Sequence, residues 1–371
     1  MRVLHFFKTY RPDTFGGIEQ VIYEIAEGSA ARGIDVDVLA LSPQPASAPL
    51  WIGQHQVYQS RQDLYIASTG ISFSAPSRFR KLAAQADLIH YHFPWPFMDL
   101  VQLTSRTNRP FVVTYHSDIV RQKRLVALYR PLMDRFLGQA AAIVATSPDY
   151  FATSPALQRH AGKVSVIPIG LDESTLDRPT QADRAALQQR LPELYFLFLG
   201  ALRYYKGLTY LIEAARRTAL PVVIAGIGEM QAEIEAARLP NVTFLGKVSE
   251  REKIALLEGA YAFVFPSHLR SEAFGVALLE AAMMGRAMIC CRLGTGTTYV
   301  NVDGETGLVV PPADPDALAS AMQRLWSSPD ETARMGAKAR ARYERLFTAD
   351  VMSDAYIALY HHILERRAAL T

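Results

Sequence analysis

The chain has 371 residues, of which 50% are hydrophobic and 20% are charged. At about 150 residues per domain this length predicts two domains, and the composition excludes a largely disordered protein. The formal net charge of +3 is too small for a dedicated nucleic-acid binder, so no nucleic-acid partner is expected. Cys290 and Cys291 are adjacent and are the only cysteines, which excludes a disulfide framework.

Strand-like runs alternate with helical patterns in the first part of the chain. Strands are predicted at residues 3–7, 34–39, 88–91, 111–115 and 141–145, and a helix at 18–32 that Gly33 ends. Such alternation predicts parallel βαβ units. A strand that runs into Pro168, Gly170 and a polar stretch then predicts a domain boundary near residue 170.

A second alternating series follows the boundary. Strands are predicted at 195–199, 221–225, 242–245, 260–265 and 287–291, with helices at 206–217, 229–238, 249–258 and 274–284. A helical tail covers 316–369 and is broken near 327–330 and 348–350 by capping residues. The predicted class is therefore α/β, with two Rossmann-like, doubly wound parallel-sheet domains that bind ligands beyond the carboxyl ends of their strands.

Reduced cysteines and the absence of any apolar run of about 18 residues predict a cytoplasmic protein. The predicted helix 119–137 combines an apolar stripe with a basic face. The basic residues are Arg121, Lys123, Arg124, Arg130 and Arg135. This face is either solvated or makes a peripheral contact with anionic lipid at the inner face of the cytoplasmic membrane.

The segment 265–285 is the most informative about chemistry. Glu272 precedes Gly275, which opens a predicted helix, and Glu280 follows within that helix. The two carboxylates lie at most about 12 Å apart along the axis, and the free N–H groups of the first turn between them can receive an anion. That arrangement suits a diphosphate flanked by two hydroxyl-bearing groups. Alternatively, Glu272 only caps the helix and Glu280 is a half-buried acid.

The Glu-x-Phe-Gly sequence at 272–275, with a second Glu at 280, resembles the retaining glycosyltransferases of family 4. These enzymes have the GT-B fold, in which two Rossmann-like domains face a central cleft. The resemblance covers nearly the whole chain. It implies an acceptor-binding domain at 1–169, a nucleotide-sugar donor domain at 170–348, and a C-terminal helix at 349–371 that crosses back onto the first domain.

The resemblance also implies roles for residues of the second domain. Glu272 would contact the transferred sugar, Glu280 the ribose and Lys247 the base. The diphosphate would be bound by Gly17 of the first domain, by Lys206 and by the helix start at Ala273, Phe274 and Gly275. The family usually has an Arg directly after the glycine at 200, where this chain has Ala201. Either Arg203 takes over the guanidinium role, or neutralisation depends on Lys206 and the helix.

In the first domain, Gly16, Gly17 and Glu19 match the family's glycine-rich turn, and His116 matches a histidine that faces the transferred sugar. Glu272, His116, Arg203 and Lys206 are the catalytic candidates; Gly16, Glu19, His92 and Asp118 are the acceptor-binding candidates. His90 and His92 share one strand face, a spacing that some metal sites use. No third ligand is evident, so no metal is expected.

Segments 5–13, 115–118 and 293–301 look most like bacterial enzymes that build mannose- or rhamnose-containing O-antigen. The resemblance implies a retaining, metal-independent transfer from GDP-mannose or GDP-D-rhamnose to a lipid-linked glycan in lipopolysaccharide synthesis. No other cofactor is expected, since Gln231 stands where an NAD fingerprint needs a small residue. The alternatives are a UDP-sugar transferase, a sugar-nucleotide 2-epimerase and, because of Ala201, a noncatalytic binding protein.

Overall fold

The computed structural model describes residues 1–66, 69–119 and 123–369. The chain forms two compact units. The first unit comprises Met1–Gly170 together with Ala349–Thr371, and the second comprises Leu171–Thr348. Each unit contains one large sheet that is mainly or wholly parallel, as the alternation of strands and helices predicts.

The first unit contains the strands β1 to β10. They are Arg2–Phe6, Asp35–Ser42, Leu50–Ile52, His55–Arg61, Leu64–Ile66, Thr69–Ile71, Leu88–Phe93, Phe111–Tyr115, Ala142–Ala145 and Val164–Val166. Eight of them form a sheet in the order β10-β9-β8-β7-β1-β2-β4-β3, in which only β3 is antiparallel to its neighbour. The strands β5 and β6 form a separate antiparallel pair. The order reverses at β1, where β2 lies on one side and β7 on the other.

Helices α1 to α6 connect these strands. They are Gly17–Ala30, Ala75–Gln85, Pro96–Ser105, Lys123–Gln139, Pro148–Thr153 and Pro155–Gln158. The interior of the sheet is apolar, with Val3, Leu4 and Phe6 of β1 fully buried. His5, on the same strand, is fully buried as well and places a polar side chain in this apolar core.

The second unit contains six parallel strands, β11 to β16. They are Phe196–Leu199, Val222–Ala225, Val242–Gly246, Ala262–Phe265, Ala287–Cys291 and Gly307–Val310. Their order, β13-β12-β11-β14-β15-β16, is that of a Rossmann sheet with its switch point between β11 and β14. Helices α7 to α14 are Gln181–Gln188, Leu208–Thr218, Gln231–Ala237, Glu250–Gly259, Val276–Met283, Gly296–Val300, Pro315–Ser327 and Pro329–Leu346.

The last helix, α15 (Ala349–Ala368), belongs to the first unit and packs on α1. Arg32 binds two of its carboxylates, Asp350 at 2.8 Å and Asp354 at 2.6 Å. On the buried side, the Tyr360 hydroxyl lies 2.7 Å from His90 Nδ1. The predicted helix breaks near 327–330 and 348–350 are confirmed, since α13, α14 and α15 are separate helices.

Other boundaries differ from the prediction for local reasons. Helix α8 begins at Leu208, because Gly207 has φ +72° and a 3₁₀ turn, Tyr204–Lys206, precedes it. Helix α11 begins at Val276, because Gly275 has φ +88°. Several elements were not predicted, most of them because they are too short to show a periodic pattern: β3 to β6, β16, α2, α3, α5, α6, α7 and α12.

The predicted basic helix 119–137 is observed as α4. Arg121 lies outside the described residues, and the side chains of Lys123 and Arg124 are not described either. The apolar stripe is only partly a packing surface, because Phe136 is fully buried whereas Leu128 is 80% exposed. Over the ranges that the structure describes, the helices are all too short or too polar to cross a bilayer.

Candidate active site

The second unit brings a lysine and a glutamate together at its switch point. Lys206 ends the 3₁₀ turn that follows β11, and Glu272 lies in the loop after β14. Lys206 Nζ is 2.5 Å from Glu272 Oε2, and the two side chains are only 13% and 11% exposed. A pair so shielded from water interacts more strongly than a surface ion pair.

Three neighbouring groups hold this pair in place. Ser267 Oγ donates to the same Glu272 Oε2 at 3.1 Å, and Lys206 Nζ lies 4.7 Å from the centre of the Phe265 ring, a cation–π contact. Gly207 allows the turn to approach β14 closely, because a Cβ there would lie 2.0 Å from the Pro266 carbonyl oxygen. Glu272 Oε1 has no partner among the described residues, so it can accept a hydrogen bond from a ligand.

The start of α11 lies directly after Glu272. Gly275 is its N-cap, and the Ala273 carbonyl accepts a hydrogen bond of 2.8 Å from Gly296 N at the start of α12. Phe274 is buried beside Gly296. Leu278 N donates to the Gly275 carbonyl at 2.9 Å, whereas the amides of Val276 and Ala277 have no partner outside the helix among the described residues and can receive an anion.

Glu280 on α11 is held by a residue that sequence analysis missed. Lys253 of α10 lies 2.9 Å from Glu280 Oε1 and 2.6 Å from Glu250. Burial acts to lower the pKa of Lys253, but the charges and hydrogen bonds of Glu280 and Glu250 outweigh it and raise that pKa. Glu280 Oε2 has no partner in the described part of the chain. The only sequence signal for Lys253 was its place in a charged, capped helix, which is typical of a solvated face.

Arg203 and Lys247 follow the carboxyl ends of strands in the same sheet but do not contact the Lys206–Glu272 pair. Arg203 follows β11 and Lys247 follows β13, and both are exposed. Neither side chain has an ionic partner in the ranges that are described. Glu229 instead accepts a 3.0 Å hydrogen bond from Tyr204 N, which holds the turn between Arg203 and Lys206.

In the first unit, the glycine-rich turn precedes α1. Gly16 is the N-cap and Gly17 the first helical residue, with Glu19 in the first turn. Glu19 Oε1 accepts hydrogen bonds from Thr9 at 2.7 Å and from Thr14 at 3.0 Å, so it fixes the loop after β1. A Cβ at Gly16 would lie 2.4 Å from Glu19 Oε2, so another residue there would have to displace the Glu19 carboxylate.

His116 and Asp118 follow the end of β8. His116 is 5% exposed, and its backbone N donates to the Phe93 carbonyl at 3.0 Å. Asp118 Oδ1 accepts from Tyr115 at 2.9 Å and from Ser154 at 2.7 Å, so this carboxylate is committed to holding neighbouring loops. His116 Nδ1, in contrast, has no hydrogen-bond partner in the described ranges.

The structure adds a third histidine to the two found in the sequence. Ring nitrogens of His5, His90 and His92 lie within 4.8 Å of one another, so His5 is a third potential ligand that was not evident from the sequence. Burial lowers the pKa of all three imidazoles, that of His5 to about 3. Five of their six ring nitrogens are hydrogen-bonded to side chains, and His92 is fully buried between His5 and His116.

Comparison with known proteins gives one family for each part of the chain. Residues 15–175 match the family model "Glycosyltransferase Family 4", and residues 179–342 match "Glycosyl transferases group 1". The D-rhamnosyltransferase WbpZ of Pseudomonas aeruginosa is 51% identical, over 100% of this chain and 98% of that protein. The O-antigen chain mannosyltransferase C of Escherichia coli is 47% identical, over 99% of this chain and 100% of that protein.

Among solved structures, the sucrose-phosphate synthase of Thermosynechococcus elongatus aligns with a TM-score of 0.80 and 22% identity. The alignment covers 98% of this chain and 99% of that one. At this identity the likeness concerns the fold alone, which is GT-B.

Proposed function

Because the chain belongs to glycosyltransferase family 4, we propose that it moves mannose or D-rhamnose from a GDP-sugar to a lipid-linked glycan acceptor. Its coarser activity, that of an O-antigen glycosyltransferase, follows from two relatives that match over nearly their whole length. The donor, the acceptor and the roles of individual residues are our proposal.

The observation that carries the proposal is the state of the two carboxylates in the second unit. Glu272 and Glu280 each have one oxygen held by a lysine and the other without a partner among the described residues. The start of α11 lies between them. We therefore assign Glu280 to the ribose hydroxyls, Glu272 to the sugar and the first turn of α11 to the diphosphate.

Charge builds on the diphosphate as the bond from its oxygen to the anomeric carbon breaks. Lys206 would stabilise that charge, with Arg203 as the second cation in place of the family arginine missing at Ala201. The departing oxygen keeps the bonding electron pair and takes the proton of the attacking acceptor hydroxyl. Attack on the same face would retain the anomeric configuration, without an enzyme nucleophile and without a metal ion.

In the first unit, we propose that His116 faces the transferred sugar and that the turn Gly16–Gly17, with Glu19, borders the diphosphate and the acceptor. His92 would act on the sugar only through His116, since it is fully buried. Asp118 would position the loop that follows His116. Contact of α4 with anionic lipid stays part of the proposal, as a way to bring the enzyme to a lipid-linked acceptor.

Calorimetric titration with GDP, UDP and ADP in metal-free buffer tests the donor site. We expect GDP to bind best, and Lys206→Met and Glu280→Gln each to weaken it. Lys338→Met and Glu305→Gln are matched controls, because both residues are exposed in the same unit and remote in sequence from the proposed site. A preference for UDP would overturn the proposed donor, and no nucleotide binding at all would overturn the donor site.

Product analysis separates the remaining alternatives. With the GDP-sugar and an acceptor glycan, a transferase releases GDP and extends the glycan. A 2-epimerase would instead need no acceptor, and its product would be the epimerised nucleotide sugar or the epimerised free sugar. Formation of the epimer in the absence of acceptor would therefore contradict the proposal.

A further inference from the structure

Three histidines of the first unit form a continuous hydrogen-bonded row across its sheet. His5 Nδ1 on β1 lies 3.0 Å from His92 Nε2 on β7, and His92 Nδ1 lies 3.0 Å from His116 Nε2 after β8. Ring centres are 5.3 Å apart in both pairs, with interplanar angles of 18° and 21°. Two imidazoles placed edge to edge across such a hydrogen bond give this separation, so each lone pair points along the row.

Burial favours the neutral form of all three rings. Burial lowers the pKa of His5 and of His116 to about 3, and that of His92 well below its ordinary value. A neutral imidazole has one N–H donor and one acceptor nitrogen. His92 uses both nitrogens within the row, so it donates to one neighbour and accepts from the other. The whole row therefore has a single direction.

The two ends of the row differ. His5 Nε2 is enclosed and has no hydrogen-bond partner among the described residues. His116 Nδ1 has no partner within the described ranges either, but His116 keeps 5% of its surface exposed whereas His5 is 0% exposed. In one direction His5 Nε2 carries a proton that nothing accepts. In the opposite direction, His5 Nε2 carries only an unused lone pair, and the proton of His116 is on Nδ1.

A buried N–H without an acceptor costs more than a buried lone pair without a donor, and orphaned donors are accordingly rare. We propose that His5 and His92 are positioning residues that fix His116 as the Nδ1–H tautomer, so that the open end of the row is a hydrogen-bond donor. A hydroxyl or phosphoryl oxygen is the chemistry that such a donor recognises. The part of this inference that concerns the transferred sugar rests on the proposed function; the tautomer does not.

A cation among His5, His90 and His92 is the competing explanation of the cluster. His90 is already bonded through Nδ1 to Tyr360 and through Nε2 to Thr114, at 2.7 Å each. His92 would have to leave the row to offer a lone pair. A cation would therefore break hydrogen bonds that the residues make among themselves, and it would leave a distinct signature in the test.

Long-range ¹H–¹⁵N correlation spectra of the full chain labelled with ¹⁵N-histidine report each tautomer directly. We expect a protonated Nδ1 and an unprotonated Nε2 for all three histidines, assigned through His5→Asn, His92→Asn and His116→Asn. His361→Asn, in an exposed position on α15, is the matched control for assignment. A protonated Nε2 on His116, an imidazolium, or shifts that move when a chelator is added would overturn the inference.

A second pair of variants tests the function of the row. The amide nitrogen of His5→Asn stands where His5 Nδ1 stands and can still donate to His92, whereas His5→Leu cannot. We expect His5→Leu to lower kcat by about tenfold at nearly unchanged KM for the donor, and His5→Asn to restore most of it. Equal loss in both variants, with normal melting, would refute the positioning role. If the spectra show the expected tautomers but His116→Leu, which has no donor at this position, keeps full activity, the proposed role of His116 is refuted and the row stays intact.

Discussion

Replacement of Lys206 by Met is the perturbation whose size the structure defines best. The substitution leaves the 11% exposed Glu272 carboxylate without its cation at 2.5 Å. Removing one partner of a fully buried pair costs about 3–5 kcal/mol. Because Ser267 still donates to the same oxygen and some exposure remains, we expect about 2 kcal/mol. For a unit of this size that is roughly 4–8 °C in melting temperature.

A double-mutant cycle separates the ion pair from other effects of the substitution. Glu272→Gln removes the carboxylate charge that Lys206→Met leaves without a cation. In the Lys206→Met background, Glu272→Gln should therefore lower the free energy of unfolding by less than it does in the unmodified protein, with a coupling energy of about 1–2 kcal/mol. GDP affinity should fall about 10- to 100-fold in Lys206→Met, the value of one charge-assisted hydrogen bond. Denaturant titration and calorimetry measure the two quantities on the same samples.

Two results would refute this reasoning. Additivity of the two substitutions within about 0.5 kcal/mol would mean that the residues do not interact as the structure has them. If Lys206→Met loses the whole expected stability of about 2 kcal/mol but binds GDP with unchanged affinity, the pair only supports the fold. Lys338→Met should change neither quantity, and it controls for the loss of one positive charge from the unit.

Three further outcomes follow from the same geometry. Gly207→Ala should lower stability by about 1–3 kcal/mol in urea titration, because it strains a φ of +72° and directs a Cβ at the Pro266 carbonyl. Acidification should destabilise the first unit: the pKa of His5 and of His116 falls from 6.5 to about 3 on folding, so the unfolded chain takes up protons below pH 6.5. Each such histidine contributes about 1.4 kcal/mol per pH unit between these values, and His5→Asn should reduce the slope. Exhaustive chelation should leave transfer activity intact, and a loss that zinc restores would contradict the metal-free mechanism.

Much of this arrangement could be predicted because the ligand-binding side chains of a parallel sheet lie in the loops that follow the carboxyl ends of its strands. The strand runs ending near Leu199 and Phe265 were visible as short apolar segments, and the charged residues after them necessarily share one edge of the sheet. The spacing along the sequence does not predict which of these charged side chains are in contact. Lys206 and Glu272 are 66 positions apart, and their contact depends on the strand order that places β11 beside β14.

The position of His5 beside His90 and His92 was not predicted, for a related reason. Alternation along β7 puts His90 and His92 on one face, but His5 joins them only because β1 pairs with β7 in the register that places His5 opposite His90. A histidine inside an apolar strand run gives no sign of its neighbours on other strands. Lys253 was missed because a lysine in a capped, charged helix usually faces solvent, and only the packing of α10 turns it toward Glu280.

The two cations of the proposed diphosphate site should differ in how they act. Lys206 already has a partner, so a diphosphate must share it with Glu272, and the measured affinity reports the difference between the two contacts. Arg203 is exposed and has no ionic partner in the described ranges, so it gives up nothing when an anion arrives. We therefore expect Arg203→Met to slow GDP association and to weaken its salt dependence, whereas Lys206→Met should mainly speed dissociation. Stopped-flow binding at several ionic strengths distinguishes the two. A dissociation rate that rises in Arg203→Met as much as in Lys206→Met would instead show that Arg203 binds the diphosphate as closely as the missing family arginine would.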